Sequence, residues 1–175
     1  MKISLIVAVG PQREIGHLGK MPWNYPSEYA HFLRTVSGHC IVLGRINFIE
    51  NLSNAPLLGR VTSLVISSQK KSSYFFPSNS DWDIQFFYTV REAIDFARKS
   101  GEKELFIIGG EKIYRDTLLL ADKIYYSIVP YSGPVDRFFP EIPKNNFLIT
   151  EHKKIQQTLD APAWDLYIYE KIKNN

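Results

Sequence analysis

Short runs rich in β-branched and aliphatic residues recur along the chain, and they constrain its fold more than any other feature. They are "ISLIVAVG" (3–10), "CIVLG" (40–44), "VTSLVIS" (61–67), "IQFFYT" (84–89), "KELFIIGG" (103–110) and "KIYYSIV" (123–129). As a set they are too short for buried helices and too continuously apolar for strands with one wet face. Helical segments lie between most of them: "SEYAHFLRTV" (27–36), "INFIENL" (46–52), "VREAIDFARKSG" (90–101) and "EKIYRDTLLLA" (111–121). Ser27 reads as the N-cap of the first helix and Gly101 as the stop of the third. Strands alternating with helices predict an α/β fold with a mostly parallel central sheet flanked by helices. The final runs, "FLITEHKKI" and "DLYIYEKI", alternate like a hairpin and predict an antiparallel C-terminal edge. A length of 175 residues suits a single domain spanning 1–175.

Charge and composition narrow the partners. The net charge of +3 is spread along the chain, so nucleic acid is not an expected partner, and the run "QKK" (69–71) reads as solvated surface. The single cysteine, Cys40, excludes an intrachain disulfide. It opens an apolar run and reads as a small buried hydrophobe, consistent with a reducing, cytoplasmic setting. His17, His31, His39 and His152 lack metal-ligand spacing, so no metal is expected. The first apolar run stops at Gly10-Pro11, short of a signal peptide. No run approaches the roughly 20 apolar residues of a membrane span, so no membrane is expected.

Ligands on parallel sheets bind beyond the carboxyl ends of the strands. Two strand-to-helix turns there are glycine-bearing: "VLGR" before "IN", and "IIGG" before "EKIY". Glycine lets a ligand approach the backbone closely, and a helix start offers unpaired N–H groups to phosphate. Neither turn is a GxGxxG or Walker motif, and a tight turn alone accounts equally well for Gly109-Gly110. Arg45 stands on its own as a surface cation.

The third feature is "MPWNYPSEYAHF" (21–32), where Glu28 sits among Trp23, Tyr25, Tyr29 and Phe32 behind two prolines. An acid in the first turn of a helix is favoured by the helix dipole, which by itself explains Glu28. Its aromatic neighbours suggest a second role. Phe32, at i+4, shares its face. A carboxylate there can bind a flat heterocycle whose ring N–H and amino group lie side by side, satisfying both oxygens.

These motifs, in this order, resemble the dihydrofolate reductase family along nearly the full chain. "ISLIVAVGPQREIGHLGKMPWNYP" is similar to the family's first strand and mobile loop, with Ile15-Gly16 and Met21-Pro22-Trp23. "LGR" (43–45), "PLLGR" (56–60), "IIGGEKIY" (107–114) and "DRFFPEI" (136–142) resemble later family motifs. The resemblance implies NADPH-dependent reduction of 7,8-dihydrofolate to 5,6,7,8-tetrahydrofolate, supporting one-carbon metabolism. It implies small-molecule partners, dihydrofolate and antifolate inhibitors, and a monomer.

It also implies residue roles. Glu28 falls on the active-site acid, Trp23 on a water-holding tryptophan, Ser127 on the hydroxyl beside the acid and Tyr114 next to the nicotinamide. Ile6, Val7, Phe32, Arg60 and Ile108 fall on substrate-binding positions, with Arg60 on the clamp for the glutamate α-carboxylate. Ala8, Ile15, Gly16, Gly44, Arg45, Asn47, Gly109, Gly110, Lys112, Ile113 and Tyr114 fall on cofactor positions. Arg45 with Ser67, Ser68 and Gln69 matches the 2′-phosphate pocket, and the Gly109-Gly110 bond is cis in the family. Departures are Asn47 and Ser127 for threonines, Arg137 in "DRFFP", and about two extra residues between Arg45 and Arg60. A related reductase of a ribosylated aminopyrimidine usually lacks both "WNYPSE" and "PLLGR". A nucleotide-binding module without catalysis is the alternative from another class.

Overall fold

The computed structural model describes residues 1–52, 57, 59–69, 82–158 and 162–173. Pro56 and Leu58 of the "PLLGR" motif, and most of "QKK", lie outside the described residues. The strands are β1 (Lys2–Val9), β2 (Glu14–Gly16), β3 (Cys40–Gly44), β4 (Thr62–Ile66), β5 (Asp83–Phe87), β6 (Glu104–Gly109), β7 (Lys123–Ile128), β8 (Arg137–Phe138), β9 (Phe147–Ile155) and β10 (Trp164–Lys171). The helices are α1 (Pro26–Val36), α2 (Arg45–Asn51), α3 (Val90–Lys99) and α4 (Glu111–Thr117). An eight-stranded sheet runs in the order β5-β4-β3-β6-β1-β7-β10-β9. Its first six strands pair in parallel, and β10 pairs antiparallel with both β7 and β9.

The continuous apolar runs work because both faces of the sheet are covered. Side chains alternate across a strand. Leu5, Val7, Val9, Val42, Leu64, Leu105 and Ile107 therefore fall in one buried cluster, with Ala93, Ile94 and Ala97 of α3 and Ile113 and Tyr114 of α4. Their neighbours Ile6, Ile41, Leu43, Val65, Phe106 and Ile108 fall in the other, with Val36 of α1 and Phe48 of α2. Cys40 is buried and free, and its thiol is pushed up to about 12, first by burial and then by Glu102, so it stays protonated.

Several local expectations are corrected. The mobile loop that the resemblance implies after the first strand contains β2, which pairs antiparallel with β8 of the "DRFFP" motif. That pairing joins residues far apart in sequence, and two or three residues give no periodicity to read. Thr89, taken as the end of a strand, is instead the N-cap of α3. Its Oγ1 accepts from Glu92 N at 3.2 Å while Glu92 Oε2 accepts from Thr89 N at 3.1 Å. Ser27 is not the cap of α1. The N-cap is Tyr25, with Pro26 opening the helix and no side-chain cap. The Ser27 hydroxyl instead accepts from the Trp164 indole at 3.0 Å. The last helix ends at Thr117, and Leu118–Leu120 tighten into a 3₁₀ turn.

At the opposite edge from the strands' carboxyl ends, Glu102 ties the sheet together. Its carboxylate accepts from Cys40 N at 2.7 Å, Lys103 N at 2.7 Å and Glu104 N at 3.1 Å, and lies 3.1 Å from His39 Nδ1. Burial alone would raise its pKa, but these bonds together hold it at about 2. Such a group stabilises above the unfolded value near 4.5, and that contribution is lost as pH falls toward 2. We expect Glu102→Ala to lower stability by about 2 kcal/mol at neutral pH. The gap from the parent should close below about pH 4, checked by urea unfolding across pH.

Candidate active site

A cleft of about 1270 Å³ opens over the carboxyl ends of the parallel strands. Ile6, Val7 and Ala8 of β1 form its floor, with Gly44 after β3, Ser67 and Ser68 after β4, and Ile108 and Gly110 at the end of β6. Helix α1 adds Glu28, Tyr29 and Phe32, and the β2 region adds Ile15 and Gly16. Arg45 and Asn47 of α2, and Lys112, Ile113 and Tyr114 of α4, also line it. Residues from distant parts of the chain thus meet in one depression.

Some expected residues stand elsewhere. Trp23 is outside the lining and packs on Tyr131, with ring centroids 5.0 Å apart. Ser127 and Gly109 are buried behind the lining, and Gln69 is exposed outside it. Arg60 is exposed beyond it. Leu57 of the same segment reaches the wall, and its carbonyl accepts from Arg60 N at 3.0 Å. Lining residues that sequence reading missed include Glu50, Tyr88, Glu111 and Asp116. Glu111 had a signal, since it directly follows Gly110. The others are recognisable only once the folded sheet brings the ends of α2, α3 and α4 to the rim of one cleft. Among the described residues no group of three or more His, Cys, Asp or Glu side chains could hold a metal ion. No described helix is long and apolar enough to cross a membrane.

Glu28 is the one buried acidic or basic side chain among the described residues that line the cleft. It is 5 % exposed although charged residues are almost never buried unless paired. Burial raises its carboxyl pKa from 4.5 to about 7, opposed by the nearby Ser127 hydroxyl. That hydroxyl falls short of hydrogen-bond geometry, so Ser127 Oγ is a buried polar atom without a partner, as is Trp23 Nε1. Ser127 sits on β7, opposite Ala8 of β1. The acid therefore hangs from α1 over the sheet, with acceptors and donors in its surroundings left unmatched by protein.

Backbone groups at the floor are held by side chains. The Tyr114 hydroxyl donates to Ile6 O at 2.8 Å, and Asn47 Nδ2 donates to Ile108 O at 2.9 Å. Burial, then the Glu28 charge, keeps the Tyr114 phenol far above its usual pKa. The Gly109-Gly110 peptide is cis. Gly109 has φ +96°, and a Cβ there would lie 2.5 Å from Tyr114 Cε2. A Cβ on Gly110 would meet nothing within 4 Å, because that position faces the open cleft.

The segment 16–21, most of which lines this cleft, is pinned from two sides. Leu18 N donates to Asp136 Oδ2 at 3.2 Å and Asp136 N donates to Gly16 O at 3.0 Å. From the other side Met21 N donates to Glu50 Oε1 at 2.8 Å.

Two outcomes follow from this geometry. Gly109→Ala should cost about 3 kcal/mol or more, through a disfavoured φ and the overlap with Tyr114, measured by thermal or urea unfolding. Glu28→Gln should become progressively more stable than the parent as pH rises. Between the unfolded value near 4.5 and the folded value near 7 the native state holds the extra proton, so the parent loses stability with rising pH. The gap should widen from pH 5 to pH 8 by on the order of 3 kcal/mol, read by urea unfolding.

Comparison with known proteins identifies the family. The family model for dihydrofolate reductase matches residues 2–171. The chain is 29% identical to dihydrofolate reductase of Bacillus subtilis (strain 168) over 170 residues, covering 97% of this chain and 94% of that protein. It is 31% identical over 170 residues to the enzyme of Neisseria gonorrhoeae, covering 97% and 98%. A solved structure of dihydrofolate reductase from Enterococcus faecalis, complexed with NADP(H) and RAB-propyl, superposes with a TM-score of 0.84. It is 23% identical and covers 98% of this chain and 97% of that one, a likeness that speaks for the fold. With a parallel sheet, a buried acid over its carboxyl ends and a family match spanning nearly every residue, the chain belongs to the dihydrofolate reductase family.

Proposed function

We propose that the protein reduces 7,8-dihydrofolate to 5,6,7,8-tetrahydrofolate with NADPH, by hydride transfer to pterin C6, and so supports one-carbon metabolism. The observation that carries this reading is the buried Glu28 carboxyl in the wall of a cleft that continues to the Gly44 and Gly110 turns. The cofactor, when bound, supplies the hydride from its nicotinamide C4. The residues present fit such a dinucleotide. Gly110 leaves open space on the cleft side, Arg45 and Lys112 bring positive charge to the wall, and Ser67 and Ser68 offer hydroxyls.

The chain's own residues orient the substrate and exclude water. Glu28 accepts from the ring N–H and amino group of the pterin, satisfying both carboxylate oxygens in a site where they lack protein donors. Tyr29 and Phe32, stacked with centroids 5.9 Å apart, offer an aromatic wall to the planar ring. A carboxyl poised near neutrality stabilises the protonated pterin as N5 gains its proton from water. The buried Trp23 N–H and Ser127 hydroxyl, both without protein partners, suit a water held beside the acid. The pinned segment 16–21 closes the site. On this reading the same pocket is also the site for antifolate inhibitors.

The direct test is loss of NADPH absorbance on adding dihydrofolate. The parent should turn over, and Glu28→Gln should bind NADPH normally but lose two or more orders of magnitude in kcat at pH 7. Near-parental turnover in that variant would refute the role given to Glu28.

A further inference from the structure

The segment carrying Glu28 is held from behind by a residue that the reaction does not use. Trp164 begins β10 and is 3 % exposed. Its indole Nε1 donates to Ser27 Oγ at 3.0 Å, bridging 137 positions of sequence. The same indole packs on His31, with ring centroids 5.6 Å apart. Ser27 and His31 are four residues apart and share one face of α1. Glu28 is the next residue after Ser27, turned by about 100° toward the cleft.

The first turn of α1 is not fixed by a side-chain cap: the N-cap residue, Tyr25, bonds no backbone N–H of the helix with its side chain. Trp164 belongs with Val129, Leu166 and Ile168 to a separate buried cluster, on which Trp23 and Tyr25 pack. The Tyr25 hydroxyl donates to Pro130 O at 2.5 Å. In the β7–β10 register Leu166 stands opposite Ser127. Trp164 therefore reaches α1 from the strand beside the one that carries the hydroxyl next to Glu28.

We propose that Trp164 is a positioning residue for Glu28, setting the height and rotation of the acid-bearing turn through Ser27 Oγ and the ring of His31. This rests on the reading of Glu28 as the acid that orients the substrate. An indole is suited to the task because one side chain supplies both a wide apolar face and a directed N–H. His31 meets it as a neutral ring, since burial, then Arg34 of α1 and Lys153 of β9, hold its pKa below the usual value. The groups facing Glu28 are Ser127 of β7 and Tyr114 of α4, neither of which touches the indole bond. A loosened turn admits water to the carboxyl and moves it away from the position that matches the substrate.

The test uses Trp164→Phe, which keeps a ring and removes the donor, and Ser27→Ala, which removes the acceptor. The Glu28 carboxyl is titrated by ¹³C NMR in the ligand-free protein, and kcat and KM are measured across pH. In both variants the Glu28 midpoint should fall by about half a unit or more as water gains access. The kcat at pH 7 should fall about three- to tenfold, with KM for NADPH unchanged. The double variant should be no worse than the single ones. Titrations that superpose on the parent, or losses that add, would overturn the proposal. If Trp164→Phe does not fold, Ser27→Ala decides against Ser27→Thr, which should restore the midpoint. Should the parent fail to reduce dihydrofolate while the midpoint still moves, the functional reading falls and the positioning role stands.

Discussion

The site depends on keeping one carboxyl away from water. Ionising Glu28 in place costs on the order of 3 kcal/mol more than ionising it in an unfolded chain. That is a sizeable share of the stability of a typical domain. The sheet must already be assembled to impose it. The acid arrives on α1, the hydroxyl beside it on β7, and the phenol whose titration feels it on α4. No local segment could hold the group dry by itself, so the chemistry of the cleft is a property of the packed sheet.

The same sheet explains why the cleft lies where it does. Parallel strands covered on both faces bury their length and leave only their ends accessible. At the carboxyl end of β6, Gly109 carries a positive φ that brings the backbone against the Tyr114 ring, while Gly110 faces open space. Tyr114 in turn bonds Ile6 O, locking the floor of β1 to the helix that follows β6. Backbone contact to a ligand is possible there because one glycine is filled by protein and the next is not.

The aromatic stretch around Glu28 divides between two tasks. Trp23 and Tyr25 pack on the β7–β10 cluster, away from the cleft lining. Tyr29 and Phe32 face the cleft. A linear reading sees one aromatic surface gathered around an acid. Folding separates it because the helix begins at Pro26, so residues before it follow the loop and residues after it follow the 3.6-residue period. The reading of Ser27 as a cap failed for a related reason. A hydroxyl near a helix start has several partners open to it, and a distant tryptophan took this one.

The sequence by itself determined the alternation of strands and helices, the antiparallel end, and the acid and glycine turns that line the cleft. Those features are written in periodicities and residue types within a few positions of one another. Only the tertiary structure decided that β2 pairs with β8, that Leu57 and not Arg60 reaches the wall, and that Trp164 grips the turn bearing Glu28. Each of these joins residues whose separation in sequence carries no periodic signal. They exist because strand order and register bring particular side chains within bonding distance, and neither can be read from composition or spacing.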